Sequence, residues 1–237
     1  MSTLTGKVAI VTGGSRGIGL AVASAFIEQG ARVFVTGTHE ETLAAAARSL
    51  GAAATPVRAD VRRYGDVESL MQSAVTQAGG LDILVNNAGV GAFGAVADLS
   101  LEDWDRVVGT NLTGVFYCCK SAIPRLRARG GGWIVNVGSL ITKNPSPDNS
   151  AYGASKTALN FFTECLMQEV RQDGIRVSCV LPGSVRTGFM GRPQSANDAW
   201  KLAPEDVAQA VVDLVAHDRR SLPSRVEIRP ARPPKKG

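Results

Sequence analysis

A chain of 237 residues with 44% hydrophobic side chains suits one large domain or two small ones and supplies a sizeable core. No apolar run reaches the length that spans a bilayer, and residues 1–7 lack a signal peptide's apolar stretch, so a cytoplasmic, membrane-free protein is expected. The net charge of +5 is local: from Arg219 onward there are seven basic residues, among them Arg225, Lys235 and Lys236, and one acid, leaving a nearly neutral body of 19 basic and 20 acidic residues. That distribution argues against a nucleic-acid groove and for a solvated, Pro-rich basic tail over 219–237.

The chain alternates short β-type runs with longer helical patterns. Residues 7–12 (KVAIVT) read as a buried strand, and 17–30 carry helical periodicity through Ile18, Ala21, Val22, Ala25 and Phe26. Strand 32–36 follows, then an Ala-rich helix over 40–50 with acids in its first turn. A weak strand at 55–59 precedes a helix at 66–78, and 81–86 (LDILVN) is the fourth strand. Residues 101–129 form one long helix or two joined ones. Strand 133–137, a long helix over 150–173, strand 176–181 and a helix over 204–217 complete the alternation, with 226–228 as a short last strand. Alternation of this kind, with near-continuously apolar strands, predicts an α/β fold: a single doubly wound parallel sheet, Rossmann-like, with helices on both faces. The whole chain is read as one domain, with a core over 1–183, a lid over 184–203 and the tail over 219–237.

Thr12-Gly13-Gly14-Ser15-Arg16-Gly17-Ile18-Gly19 follows the first strand and opens the first helix. Glycines there permit a tight turn, and backbone N–H groups at a helix N-terminus suit an anionic pyrophosphate. An acid at the end of the second strand would bond the ribose hydroxyls of NAD and repel a 2′-phosphate. Here the stretch is Val35-Thr36-Gly37-Thr38-His39, with no acid before Glu40. Arg16 either pairs with a phosphate or points into solvent. NADP is therefore favoured over NAD. Asp60 and Val61 would bracket the adenine. Asn86-Asn87-Ala88-Gly89 ends the fourth strand, where small residues let the backbone pass close to a ligand.

Tyr152 and Lys156 share one helix face at i and i+4. A lysine ammonium beside a phenol lowers its pKa, and moving a tyrosine from 10 to near 7 takes about 4 kcal/mol. Such a tyrosine would exchange a proton with a carbonyl oxygen near neutral pH. Ser139 ends the fifth strand 13 positions earlier, so one loop brings its hydroxyl toward the phenol. Asn111, Pro182-Gly183 and Thr187 complete the set. The four cysteines, Cys118, Cys119, Cys165 and Cys179, lack CxxC spacing, and His39 and His217 are the only histidines, so no metal site is expected.

In order and spacing, TGGSRGIG, Asp60-Val61, NNAG, Asn111, Ser139, YGASK and Pro182-Gly183 make residues 7–185 resemble the short-chain dehydrogenase/reductase family. The resemblance implies hydride transfer between a nicotinamide and a carbonyl or alcohol carbon. Tyr152 would be the acid/base, and Lys156 would lower its pKa and hold the nicotinamide ribose. Ser139 would hold the substrate oxygen, Asn111 would order a water relay, and Thr187 would meet the nicotinamide amide. The cofactor would rest on Gly13, Ser15, Arg16, Gly17, Ile18 and Gly19. Thr36, Thr38, Asp60, Val61, Asn87, Ala88, Gly89, Pro182, Gly183, Val185 and Thr187, with Tyr152 and Lys156, would complete its site.

Phe93, Leu140, Ile141, Phe189 and Met190 are apolar and would line a pocket around Ser139 and Tyr152 for a hydrophobic ketone or aldehyde, or else pack the lid. The Ser15-Arg16 turn and the NADP features also resemble 3-oxoacyl-carrier-protein reductases. In that reading Arg125, Arg127 and Arg129 meet an acidic carrier, although helix-end cations also suit the macrodipole. The alternative outside enzymes is a catalytically idle NADP-binding sensor or scaffold. The resemblance implies a homo-oligomer, dimer or tetramer, packed through 101–129 and 150–173. Apolar residues there, such as Phe116, Phe161 and Phe162, equally suit packing within one chain.

Overall fold

The computed structural model describes residues 3–189, 195–218 and 220–234. Seven strands form one sheet: β1 (Val8–Val11), β2 (Arg32–Gly37), β3 (Ala54–Arg58), β4 (Ile83–Asn86), β5 (Gly132–Val137), β6 (Ile175–Pro182) and β7 (Arg225–Ile228). All neighbours pair parallel, in the order β3-β2-β1-β4-β5-β6-β7. The chain winds outward from β1 to β3, then restarts at β4 on the other side of β1. A crevice therefore opens where the direction reverses, beyond the carboxyl ends of β1 and β4.

The inner strands are buried on both faces because helices cover both, while the edge strands β3 and β7 are half-exposed. Helices α1 (Gly17–Glu28), α2 (Glu40–Leu50) and α7 (Pro204–Val215) lie on one side. There Phe26, Leu43 and Val211 meet Val11, Val35 and Val85. Helices α3 (Tyr64–Ala78), α5 (Gly114–Ala128) and α6 (Ser150–Val170) cover the other, where Leu70, Leu126 and Leu159 meet Ile10, Leu84 and Ile134. Each such fully buried side chain contributes about 1.5–3 kcal/mol.

Residues 101–129 resolve into α4 (Leu101–Val108) and α5, joined by a π-helical turn, Gly109–Thr113. Ser100 caps α4 by accepting from the Asp103 N–H. The long helix expected over 150–173 ends at Val170, with a 3₁₀ turn after it and Gly174 at φ +71°. The basic stretch is only partly a free tail. Residues 225–228 complete the sheet, Arg225 pairs with Glu164 on α6 at 2.8 Å, and Glu227 pairs with Arg229 and Lys143. Arg219, Lys235 and Lys236 lie outside the described residues. Among the described residues, no helix is long and apolar enough to cross a membrane.

Candidate active site

The glycine turn is built by exclusion of side chains. Gly13 has φ +63°, and a Cβ there would sit 2.9 Å from the Ala88 Cα. A Cβ on Gly19 would overlap the Gly13 carbonyl oxygen and the Asn87 amide. That crowding arises because the loop after β4 is tied to the turn. Asn87 Nδ2 donates to the carbonyls of Thr12 and Gly13, each at 3.0 Å, and the Asn87 and Ala88 N–H groups donate to Thr12 Oγ1 at 3.1 Å. Thr12 is thus the hub of the turn, a role that its place beside the glycines does not advertise. Gly17, at φ +55°, faces Thr187, whose methyl would lie 3.3 Å from a Cβ at this position. The segment after β6 therefore crosses over the turn. Its base is closed by Arg186 N–H to the Leu202 carbonyl at 2.8 Å and Leu202 N–H to the Ser184 carbonyl at 2.9 Å. Ser15 lies against Gly37, Arg16 is exposed, and Ile18 and Val185 pack on the core.

Four polar residues converge at the ends of β4 and β5. Asn111 sits on the π turn, fully buried. Its Oδ1 accepts from the Val90 N–H at 2.9 Å, and its Nδ2 donates to the Val90 carbonyl at 2.8 Å and Ser155 Oγ at 3.0 Å. Ser139, just past β5, has its Oγ held by the Ile141 N–H at 3.2 Å, and its hydroxyl lies near enough to the Tyr152 phenol to act on its pKa. Lys156 is buried and donates to the Val137 carbonyl at 2.7 Å. A Cβ on Gly89 would stand 3.4 Å from Asn111 Oδ1 and 3.6 Å from Lys156 Nζ, so the fourth-strand loop passes directly over this group.

The electrostatics differ from the sequence expectation. Burial raises the Tyr152 pKa, and the Ser139 hydroxyl only pulls it part of the way back. Lys156 is not among the groups that lower it. Its Nζ lies 5.9 Å from the phenol ring centre and spends its hydrogen bond on Val137. Burial in turn lowers the Lys156 pKa to about 8. The spacing of i and i+4 places both residues on one face but does not decide where a flexible ammonium points. Cys179, missed from sequence, is the ionisable neighbour of Lys156, and burial raises its thiol to about 11.

At the adenosine end, Thr36 is buried with its hydroxyl donated to the Ala59 carbonyl at 3.2 Å, so its side chain braces β2. Thr38 is exposed, and its carbonyl accepts from Arg58 Nε at 3.3 Å, which adds a cation that the motifs did not point to. Asp60 is engaged by Arg62 at 2.6 Å, whose hydrogen bonds hold the carboxyl below its usual range. Val61 packs against Gly114. Pro182 and Gly183 are tied to β7, with the Gly183 N–H donating to the Ile228 carbonyl at 2.8 Å.

On the substrate side, Tyr152 stands between two rings, Phe93 at 6.2 Å and Phe189 at 6.0 Å. Ile141 borders an adjoining cavity of about 400 Å³ with Gly94, Val96 and Pro147. Leu140 does not line the pocket: it is the buried residue of the 3₁₀ turn Leu140–Lys143 and packs with Cys179 and Leu181. Met190 lies outside the described residues.

The geometry has matching relatives. A family model described as short chain dehydrogenase matches residues 7–198. The 3-oxoacyl-(acyl-carrier-protein) reductase FabG of Chlamydia pneumoniae is 40% identical over 229 residues, covering 90% of this chain and 91% of that protein. An uncharacterized oxidoreductase of Staphylococcus aureus is 30% identical over 97% of this chain and its own full length. Among solved structures, a metagenomic short-chain oxidoreductase in complex with NADP superposes with a TM-score of 0.85 at 35% identity, covering 97% and 99% of the two chains. The 3-ketoacyl-(acyl-carrier-protein) reductase of Brucella melitensis, complexed with NADH, superposes at 0.89 with 29% identity, covering 96% and 98%. With its reversed-order sheet, its glycine turn and a family match across most of its length, this chain belongs to the short-chain dehydrogenase family of oxidoreductases.

Proposed function

We propose that this protein is an NADPH-dependent reductase of ketones or aldehydes, reversible as an alcohol dehydrogenase, with Tyr152, Lys156, Ser139 and Asn111 as its catalytic residues. The observation that carries this reading is the Tyr152 phenol, beside the Ser139 hydroxyl and one helical turn from a buried lysine, under the Gly89 loop that borders the glycine-lined crevice. The residues fit the cofactor. Gly13, Gly17 and Gly19 leave a cradle that side chains would fill, at the N-terminus of α1, where a pyrophosphate is favoured. No carboxylate stands at the end of β2. Exposed Arg16 follows Ser15 beside Gly37, and Arg58 reaches Thr38, so cations flank the expected position of a 2′-phosphate. Thr187 and Gly89 would edge the nicotinamide end. NADP is preferred to NAD on these grounds.

When bound, NADPH supplies a hydride to the carbonyl carbon. Negative charge then grows on the carbonyl oxygen, where the Ser139 and Tyr152 hydroxyls stabilise it; donors so placed are each worth about 2.7–4 kcal/mol. Tyr152 delivers the proton. A phenol kept protonated by burial is ready for that donation. Lys156 holds a positive charge close to the phenol and the ribose, and Asn111 anchors the loop around Val90 and orders the water that returns the proton. Phe93 and Phe189 exclude water from around Tyr152 and select an apolar substrate.

A second reading, 3-oxoacyl-carrier-protein reduction, is favoured by the 40% identity to the Chlamydia pneumoniae protein. Arg125, Arg127 and Arg129 do not support it. Each is already paired, with Glu68 at 3.2 Å, Asp173 at 2.7 Å and Asp82 at 3.1 Å. The test is NADPH oxidation with simple ketones, aldehydes and a 3-oxoacyl thioester. Turnover of simple carbonyls supports the first reading, and turnover confined to thioesters the second. Tight NADPH binding with no turnover would leave a sensor. Tyr152→Phe is expected to lower kcat about 10²–10⁴-fold with NADPH affinity unchanged. The protein is also proposed to be a homodimer or tetramer, cytoplasmic, through the face where Leu101, Trp104, Phe116 and Phe161 stand exposed; light scattering gives the mass.

A further inference from the structure

We propose that Asn160 is a positioning residue that, through Thr142, fixes the turn carrying the Ser139 hydroxyl; this rests on the reductase reading. Lys156, Asn160 and Thr163 form one stripe of α6. Each grips the end of β5 or the turn after it. Lys156 Nζ donates to the Val137 carbonyl at 2.7 Å, and Thr163 Oγ1 accepts from Asn136 Nδ2 at 2.9 Å. Between them, Asn160 Nδ2 donates to Thr142 Oγ1 at 3.3 Å. Thr142 Oγ1 passes its own hydrogen to the Ser139 carbonyl at 3.0 Å. The other end of the Asn160 amide accepts from Cys179 Sγ on β6 at 3.3 Å. One amide therefore bridges the neighbouring strand and the serine's turn.

The backbone just before Ser139 rests on the same pair. A Cβ on Gly138 would stand 3.0 Å from both Asn160 Oδ1 and Cys179 Sγ. The turn itself is pegged by Leu140 in the apolar contact with Cys179 and Leu181, by Thr142 on Asn160 and, at its far end, by Lys143 on Glu227 of β7. Within that turn the Ile141 N–H holds Ser139 Oγ. If the Thr142 peg is lost, the Ile141 N–H and the serine hydroxyl drift together relative to Tyr152. Asn160 is suited because it donates at one end and accepts at the other; leucine does neither. It touches no reacting atom and acts only through the turn.

The experiment is steady-state reduction of the turned-over carbonyl by NADPH, with NADPH affinity by fluorescence and melting temperature on the same samples. Thr142→Val keeps the shape and removes the hydroxyl, Thr142→Ser keeps the hydroxyl, and Asn160→Leu removes the amide. Thr142→Val and Asn160→Leu are each expected to lower kcat about tenfold or more, as sub-ångström misplacement does, with NADPH affinity within about twofold. Thr142→Ser is expected to work like the wild type. The double variant is expected to be no worse than either single one, because both cut the same chain. Wild-type kcat in Thr142→Val overturns the proposal, as does an equally impaired Thr142→Ser or a double variant whose losses multiply. Tyr152→Phe runs alongside. Its inactivity with a normal Thr142→Val removes this inference alone, and its wild-type turnover removes the reductase reading and this inference with it.

Discussion

The two ends of the parallel sheet each bury a charge and treat it in opposite ways. At the amino end, Asp82 precedes β4 and receives the Val8 N–H at 2.9 Å, Lys7 at 3.2 Å and Arg129 at 3.1 Å. Burial alone would raise its pKa, but the Val8, Arg129 and Lys7 contacts outweigh it and the pKa falls. At the carboxyl end, Lys156 is equally buried and has the Val137 carbonyl for its hydrogen bond, and burial lowers its pKa to about 8. One end compensates its charge fully. The other leaves its charge under-compensated beside space for a ligand. A buried group held in an unfavourable state is a cost to folding, and such costs gather where function requires them.

The sharpest way to break this comparison is to remove the lysine. Lys156→Met is expected to abolish most turnover, by about 100-fold or more. It is also expected to stabilise the cofactor-free protein at pH 7. The sign follows from the lowered folded pKa. Between about 8 and the ordinary 10.5, the unfolded chain holds a proton that the folded one has lost, so stability rises with pH through that window. The deficit at neutral pH is about 3 kcal/mol. Denaturant melts of wild type and variant at pH 7 and pH 10 check it: the variant's advantage should shrink as pH rises. A variant less stable than wild type at pH 7 would place Lys156 among the compensated charges.

The glycine turn belongs to the same carboxyl end but is constrained by space rather than charge. Gly19→Ala drives a Cβ into backbone at Gly13 and the Asn87 amide, and a backbone atom cannot rotate away. A loss of about 1–3 kcal/mol in stability is expected, with NADPH binding weakened at least about tenfold, the equivalent of about 1.4 kcal/mol. Gly153→Ala, in α6 with open space around it, is the contrast. It should stabilise by about 0.5–1 kcal/mol, the helix-propensity difference. Calorimetry on both variants, with NADPH titration, separates a spatial demand from a mere preference for glycine.

What the sequence made legible follows the same division. Elements governed by local rules were readable: α2 begins at paired acids and ends before Gly51, and its bounds match the expectation to the residue. The glycine turn was readable because its residues are contiguous. Features set by partners far along the chain were not. Arg225 finds Glu164 at a separation of 61 residues, a pairing that the expected strand over 226–228, present as β7, does not reveal. Arg125, Arg127 and Arg129 look like a free cluster until Glu68, Asp173 and Asp82 are folded against them. Leu140 neighbours the proposed catalytic serine in sequence yet points into the core. Thr142 and Asn160 join no motif and acquire a role only when α6 lies across the turn after β5. The Lys156 side chain, long and flexible, chose Val137 over the phenol, a choice that spacing on a helix does not encode.

The smallest effect tests the other half of the comparison, the compensated charge. Asp82→Asn keeps shape and loses charge, so the ion pairs to Lys7 and Arg129 weaken while the carbonyl still accepts one N–H. Both cations are partly exposed, and their contribution is reduced by solvent screening. A loss of about 1–2 kcal/mol at pH 7 is expected. Carbonyl reduction and NADPH affinity should be unchanged, because Asp82 lies at the amino end of the strands and Ser139 and Tyr152 at the carboxyl end. The pH dependence has the reverse sign to that of Lys156. With the folded pKa depressed below 3.8, the stabilisation is complete above the unfolded value. It is lost as pH falls through the folded one, where the native carboxylate finally takes up its proton. Urea melts at pH 7 and pH 3 should therefore show the gap between wild type and Asp82→Asn narrowing in acid, while the Lys156→Met gap narrows only in base. A gap that stayed constant between pH 7 and pH 3 would mean that Asp82 matters for its shape and hydrogen bonds alone, and that the amino end does not stabilise a charge at all.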